Sequence, residues 1–169
     1  VLLETDGSHA GCTSSRKGVS GFLVYLVGPG GSRVLISWGC KKQTTVSISS
    51  GETELFAMLF GTKMSIKLLM VLHILGGFDA GSAFFQSELK SDSTVALAAV
   101  HKGASEGLRH VRRTAGVSIA WLHAIWCGAA TRASHMPGAD ISADALTKHL
   151  ASATLRAHQA RMGLVDTPG

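Results

Sequence analysis

Short apolar runs near the start of the chain alternate with Gly- and Ser-rich connections, a pattern typical of strands. Val1-Leu2-Leu3 leads into Thr5-Asp6-Gly7-Ser8 and predicts a first strand that ends at an acid and a glycine. Gly21–Val27 and Arg33–Trp38 predict two further strands, joined by the turn residues Gly28-Pro29-Gly30-Gly31. The first three elements are therefore predicted to form an antiparallel meander.

The longest helical pattern begins after Ser49. Apolar residues recur at helical spacing from Leu55 to Leu72, and Gly76-Gly77 marks the predicted end. Ser49 is followed three residues later by Glu52, which is the spacing of a capping box, so Glu52 is interpreted as a structural acid. Glu54 is then free for another role, although the helix dipole alone also favours an acid in a first turn.

The second half of the chain alternates helical and extended patterns. A strand is predicted before Asp92, and the remaining predictions are helices over Thr94–Val100, Leu108–Trp126, Ile141–Lys148 and Ala151–Met162 and a strand over Ala130–Met136. A meander followed by such alternation favours an α/β fold whose later strands join a mixed five-stranded sheet parallel to the first, with helices on both faces. Residues 1–150 are expected to form this domain, and residues 151–169 a C-terminal helical tail.

Four acids fall where this topology would bring them to one edge of the sheet. If the fourth strand pairs with the first, Asp6 and Asp92 lie side by side at the ends of neighbouring strands, the usual ligand position of α/β sheets. Helices would add Glu54 and Asp144, although capping alone would also explain Asp92. Four carboxylates would repel one another unless cations lay between them, and oxygen ligands favour Mg²⁺ or Mn²⁺ over zinc. A metal site is therefore predicted.

Charge and composition add a basic surface around this acidic site. The 169 residues, 46% of them apolar, fit one compact domain with a formal net charge of +5. If four of the eleven acids share one site, sixteen Lys and Arg residues face only seven acids elsewhere. This balance suits a polyanion held by its phosphates, although ordinary solubility charge explains it equally well.

Cysteine usage and the apolar central segment bear on the compartment. The three cysteines are far apart and show no disulfide or zinc spacing: Cys12, Cys40 and Cys127. An intracellular location, cytoplasmic or nuclear, is therefore expected, and no signal peptide is recognised at Val1. Because lysines and a histidine interrupt Leu55–Leu75, this segment is predicted to be a buried helix and no membrane partner is expected.

The chain resembles the ribonuclease H domain at the end of copia-type retrotransposon polyproteins, from about Thr5 to Leu150. The matching segments occur in collinear order: Thr5-Asp6-Gly7, Arg16–Tyr25, Ile36–Val46, Ser49–Ala57, Ser91–Leu97, Arg109-His110 and Ala143–Lys148. The resemblance implies a ribonuclease H fold and hydrolysis of the RNA strand of an RNA–DNA hybrid. It also implies a reverse transcriptase polymerase domain as a partner in the parent polyprotein.

The same resemblance assigns the metal ligands. The four carboxylates of the family carry over to Asp6, Asp92, Asp144 and, as the second acid of Glu-Thr-Glu, Glu54. Two Mg²⁺ ions, or Mn²⁺ in their place, would clamp the scissile phosphate between the attacking water and the leaving 3′ oxygen. Hybrids would be selected by groove shape and 2′-hydroxyl contacts. The candidates for phosphate contacts are basic: Lys41, Lys42, Arg112 and Arg113.

Some positions depart from the copia pattern or stay open. Ser93 stands where the family usually has Asn, and Arg112 where it often has an acid. His135 either has a role in catalysis, helping product leave or relaying a proton, or is a satisfied or surface histidine. The cluster Arg109–Arg113 is either a phosphate contact or a solvated face. The alternative function is a catalytically inactive connector or hybrid-binding domain. A DDE-type integrase is disfavoured because Glu54 precedes the second aspartate.

Overall fold

A single mixed sheet of five strands organises the chain. The computed structural model describes residues 1–9, 14–75 and 86–164. The strands are β1 (Leu2–Ser8), β2 (Val19–Val27), β3 (Arg33–Lys42), β4 (Glu88–Ser91) and β5 (Arg132–His135). They lie in the order β3-β2-β1-β4-β5, with β1 to β3 antiparallel and β4 and β5 parallel to β1. This arrangement confirms the predicted mixed sheet.

Helices cover both faces of the sheet, as predicted. They are α1 (Ser50–Ile74), α2 (Thr94–Lys102), α3 (Val111–Ala115), α4 (Ile119–Trp126) and α5 (Ser152–Arg161), with short 3₁₀ turns at Pro29–Gly31, Gly138–Asp140 and Ser142–Leu146. Side chains alternate between the faces of a strand. Phe22 of β2 therefore packs in the larger core with residues of α1, α2 and α4, whereas Leu23 packs in a smaller core with Ile141, Ala143 and Met162.

Helix α1 begins as its sequence predicts. The Ser49 hydroxyl accepts a hydrogen bond from the Glu52 amide at 3.2 Å, and the Glu52 carboxylate accepts one from the Ile48 amide at 2.8 Å. The first bond satisfies an amide that a helix start leaves unpaired, and the second fixes the residue that precedes the N-cap. The helix ends at Ile74, so the predicted stop at Gly76-Gly77 lies outside the described residues.

Length and composition alone would let α1 cross a membrane. Of its most apolar 18-residue window, 44% is buried inside the fold. The apolar side chains Leu55, Met58 and Leu69 are fully or almost fully buried. The packing of α1 on the sheet therefore accounts for much of its apolar character.

The predicted helix over Leu108–Trp126 is two helices, α3 and α4. Gly116 adopts a left-handed conformation with φ of 67° and ends α3, a role that glycine fills without steric strain. The Ser118 hydroxyl then accepts a hydrogen bond from the Trp121 amide and begins α4. The apolar periodicity continues across this break, which is why the sequence pattern predicted a single helix. The predicted helix over Ile141–Lys148 is likewise shorter, a 3₁₀ turn over Ser142–Leu146.

Helix α1 lies very close to β1 at Gly7. A Cβ atom on Gly7 would lie 2.7 Å from the backbone oxygen of Thr53, so a methyl group there would push the helix away from the strand. We expect Gly7→Ala to lower the free energy of unfolding by about 1–3 kcal/mol, as overpacking usually does. A Cβ atom on Gly107 would meet nothing within 4 Å. In denaturant unfolding, Gly107→Ala should change stability by no more than about 0.5 kcal/mol, and equal losses would contradict the close approach.

Candidate metal centre

Three of the four predicted acids meet at one edge of the sheet. The parallel pairing of β1 with β4 sets Glu4 opposite Lys90, and continuing this register brings Asp92 beside Asp6. Glu54 joins them from the first turns of α1. One carboxylate oxygen each from Asp6, Glu54 and Asp92 lie within 4.8 Å of one another. This spacing is that of a group of ligands around a cation.

One of the two carboxylate oxygens of Glu54 has a hydrogen-bond partner among the described residues, and the other has none. Its Oε1 accepts a hydrogen bond from the Gly7 amide at 3.2 Å. Its Oε2 is buried and has no hydrogen-bond partner among the residues that the structure describes. Burial, followed by the charges of Asp6 and Asp92, raises the pKa of Glu54 to about 9. A buried oxygen without a partner destabilises the fold, and a cation among the three acids would satisfy it, so the residues fit a divalent metal.

Asp6 is completely buried, and both of its oxygens receive donors from the segment that follows the Ser142–Leu146 turn. The Thr147 hydroxyl donates to Oδ2, and the Lys148 ammonium donates to Oδ1 at 3.2 Å. Burial raises the pKa of Asp6 and the neighbouring charge of Asp144 adds to that effect, although the contacts with Thr147 and Lys148 oppose it. The fully buried position of Asp6 is thus tolerable because the protein supplies its own cation and hydroxyl.

Asp144 lies beside the cluster and is not one of the three acids whose oxygens converge. Its carboxylate pairs with Lys148, four residues further along the chain, and the same ammonium contacts Asp6. Lys148 therefore links the fourth predicted acid to the first. These two bonds raise the pKa of Lys148 well above its usual range, although burial alone would lower it.

The geometry separates the acids with structural roles from those without one. Helix capping, which could have explained Asp92, is done by Ser93, whose hydroxyl accepts a hydrogen bond from the Ala96 amide. Ser93, the departure from the copia pattern, thus has a structural role. Glu52 is engaged by the Ile48 amide and has the His110 imidazole 3.4 Å away. Capping therefore accounts for Glu52, as predicted, but for neither Asp92 nor Glu54.

The other candidate residues are solvent-exposed. His135 ends β5 and pairs in register with Ser91, the residue before Asp92, so it lies at the same edge of the sheet. The basic candidates are exposed near the end of β3 and around α3: Lys41, Lys42, Arg109, Arg112 and Arg113. Their contacts with phosphate stay predictions. Cys40 and Cys127 are free thiols, as expected, and Cys12 lies outside the described residues.

Sequence reasoning assigned no role to several residues that shape this site. Lys148 and Thr147 were part of a recognised segment, and the four-residue spacing of Asp144 and Lys148 could have indicated an ion pair. The amide of Gly7 carries no sequence signal as a donor. Glu4 is buried and accepts a hydrogen bond from the Ser142 amide at 2.8 Å, which fixes the turn that carries Asp144.

Sequence comparison finds one partial relative. No protein-family model matches the chain. Over 53 residues, 31% of the chain, it is 47% identical to an uncharacterized mitochondrial protein of Arabidopsis thaliana, and the match covers 20% of that protein. The chain therefore spans about a fifth of the length of this relative.

Solved structures with a similar backbone are ribonuclease H enzymes and domains. RNase H1 from the halophilic archaeon Halobacterium salinarum matches with a TM-score of 0.54 and 20% identity over 87% of this chain and 93% of that one. LC11-RNase H1 in complex with an RNA/DNA hybrid matches with a TM-score of 0.53 and 14% identity, over 86% of this chain and 92% of that one. The PFV RNase H domain matches with a TM-score of 0.53 and 16% identity, over 92% of this chain and 94% of that one. At these identities the likeness is one of fold, and the chain has a ribonuclease H fold.

Proposed function

We propose that this chain is a divalent-metal-dependent ribonuclease H that hydrolyses the RNA strand of RNA–DNA hybrids. The observation that carries the proposal is the buried, unpartnered Oε2 of Glu54, which belongs to the carboxylate group formed with Asp6 and Asp92. Burying the carboxylates of Asp6 and Glu54 beside the half-buried Asp92 is unfavourable without a cation, and such groups of carboxylates are concentrated at functional sites. The fold supports the proposal, since a protein of this fold has been solved with an RNA/DNA hybrid.

Each acid would have a defined part in holding the metal. Two Mg²⁺ ions, or Mn²⁺ in their place, would supply Lewis acidity and lower the pKa of a bound water when present. Asp6, Glu54 and Asp92 would hold them, with Asp144 as the fourth ligand. The amide of Gly7 fixes the direction of the Glu54 carboxylate by its bond to Oε1. The Ser93 cap fixes the start of α2 and thereby the position of the neighbouring Asp92.

The substrate would be held by its phosphates and recognised by its shape. The net charge of +5, with several acids gathered in the site, leaves the surrounding surface basic. Lys41 and Lys42 at the end of β3 and the cluster Arg109–Arg113 are the candidates for backbone contacts. Selection of hybrids over other duplexes would come from groove shape and 2′-hydroxyl groups, since bases in an A-like groove are poorly accessible.

The biological setting that we propose is the ribonuclease H part of a copia-type retrotransposon polyprotein. The collinear motifs from Thr5 to Leu150 support this setting. The chain would then act beside a reverse transcriptase polymerase domain, inside the cell in the cytoplasm or nucleus. Polymerase and ribonuclease H would share the same hybrid, because synthesis of the DNA strand produces the substrate for removal of the RNA strand.

Cleavage of matched duplexes tests the proposal. A hybrid with a labelled RNA strand should be cleaved in Mg²⁺ to products with 5′ phosphates, and chelation by EDTA should stop the reaction. RNA duplex and DNA duplex of the same sequence should stay intact. Binding of the hybrid without cleavage, at any divalent metal concentration, would instead identify the alternative function, an inactive connector or hybrid-binding domain.

A further inference from the structure

The Lys148 ammonium lies among the carboxylates, where a metal ion bound by them would compete with it. Its ammonium lies 3.2 Å from Asp6 Oδ1 and pairs with Asp144 Oδ1 at the same time. The second oxygen of Asp6 accepts a hydrogen bond from Thr147. Both oxygens of the buried central acid are therefore occupied by donors of the chain itself.

The charges and burial around Lys148 match those of an internal counterion. Its side chain is 40% exposed, whereas the side chains of Asp6 and Asp144 are 1% and 15% exposed. An ammonium on a flexible four-carbon stem can leave such a position by rotating into solvent. Asp6 cannot follow it, because β1 is hydrogen-bonded to β2 on one side and to β4 on the other. The lysine is thus the movable partner of a fixed acid.

We propose that Lys148 is an internal cation that pairs with Asp6 and Asp144 in the metal-free chain and must withdraw from Asp6 when a divalent metal binds. This inference rests on the proposed function, because it assumes that the carboxylates are metal ligands. Lys148 then sets the metal affinity of the site: a positive charge at Asp6 opposes a second cation there. It also keeps Asp144 beside Asp6 before the metal arrives.

An alternative role for Lys148, holding Asp144 in place, predicts the opposite change in metal affinity, so the direction of that change tests the proposal. If Lys148 were only a clamp that holds Asp144 in place, its removal would loosen a ligand and weaken metal binding. If it competes with the metal, its removal leaves the carboxylates more negative and strengthens metal binding. Lys148→Met is the informative change because it keeps most of the aliphatic stem and removes the charge. Lys148→Gln provides a second uncharged side chain if the Met variant folds poorly.

Titration of the purified full chain with Mn²⁺, followed by the electron paramagnetic resonance of free Mn²⁺, measures the affinity directly. We expect Lys148→Met to bind Mn²⁺ about tenfold more tightly than the unchanged chain. Lys67→Met is the matched control: Lys67 is exposed on α1, about 20 Å along the helix from Glu54, and loses the same charge. Its affinity should stay within about twofold of the original.

The outcomes separate this inference from the proposed function. Tighter binding by both Lys148→Met and Lys148→Gln, with Lys67→Met unchanged, supports the internal cation. Equal or weaker binding by the Lys148 variants overturns it, while binding by the unchanged chain still supports a metal site. If neither the unchanged chain nor any variant binds Mn²⁺, the metal site itself is wrong and the inference is overturned with it.

Discussion

Replacing Glu54 by Gln is expected to reduce cleavage of the RNA strand by about a thousandfold or more, because several kcal/mol of transition-state stabilisation depend on the metal site. The same change should stabilise the metal-free chain. Glu54 is 7% exposed and lies against Asp6 and Asp92. An amide in its place keeps the bond from the Gly7 amide and, unlike the carboxylate with its raised pKa, needs no proton uptake on folding, a gain of about 0.5–2 kcal/mol at neutral pH.

Glu52→Gln is the matched control, since it makes the same chemical change two residues away on the same helix. Glu52 caps α1 through the Ile48 amide and lies near His110. Its replacement should leave cleavage within a few-fold of the original and lower stability by about 0.5–1 kcal/mol. Steady-state cleavage of a labelled hybrid and thermal unfolding in EDTA measure both effects. Full activity in Glu54→Gln, or equal effects of the two changes, would remove Glu54 from the site.

The dependence of stability on pH adds a check on Glu54. The pKa of Glu54 in the folded chain is about 9, raised from an ordinary value of 4.5 chiefly by burial. Because the folded state holds this proton more tightly than the unfolded state, its stabilising contribution is complete below about pH 4.5 and is lost as the pH rises towards 9. Thermal unfolding of the metal-free chain should therefore show stability declining across this range, and Glu54→Gln should flatten the decline. An unchanged slope in the variant would contradict the raised pKa.

The order of elements and the position of the acids could be predicted from local signals. Ser49 and Glu52 form the predicted start of α1, and the parallel pairing of β1 with β4 brings Asp6 and Asp92 together, as expected. Both follow from rules that act over few residues or from general preferences of chain topology. Such rules predict the positions of strands and helices well. They also predict the position of a side chain that lies at the end of one of these elements.

The relation of Asp144 to the other acids could not be predicted in the same way. Its pairing with Lys148 follows from their four-residue spacing, but its position outside the group of three depends on how the turn Ser142–Leu146 sits on the sheet. That turn is fixed by Glu4, 138 residues earlier in the chain. Glu4 follows the apolar run Val1-Leu2-Leu3, and the reason for an acid at this position becomes visible only when its distant partners are known. Side-chain partners remote in sequence thus decide the details of the site.

Glu4→Ala is the second change for which we expect a large effect, a loss of about 2–4 kcal/mol in the free energy of unfolding. Glu4 is completely buried between sheet and turn. Its Oε2 accepts the Ser142 amide at 2.8 Å, and its Oε1 lies 3.5 Å from the Arg33 guanidinium. Alanine would leave that amide buried without a partner and the turn before Asp144 without its anchor.

A loosened turn should also weaken metal binding, by about 10–100-fold as for other groups that orient metal ligands. Glu88→Ala is the matched control: Glu88 lies on the adjacent strand and pairs with Lys90 and Arg132, but its side chain is 20% exposed. Its loss should change stability by about 0–1 kcal/mol and leave Mn²⁺ affinity unchanged.

Glu4→Gln separates the hydrogen bond from the charge. Its amide oxygen can still accept the hydrogen bond from the Ser142 amide, whereas the ion pair with the Arg33 guanidinium is lost. We therefore expect Glu4→Gln to keep the Mn²⁺ affinity that Glu4→Ala loses. If both variants lose it equally, the charge of Glu4 and its pairing with Arg33, rather than the bond to Ser142, must hold Asp144 in place.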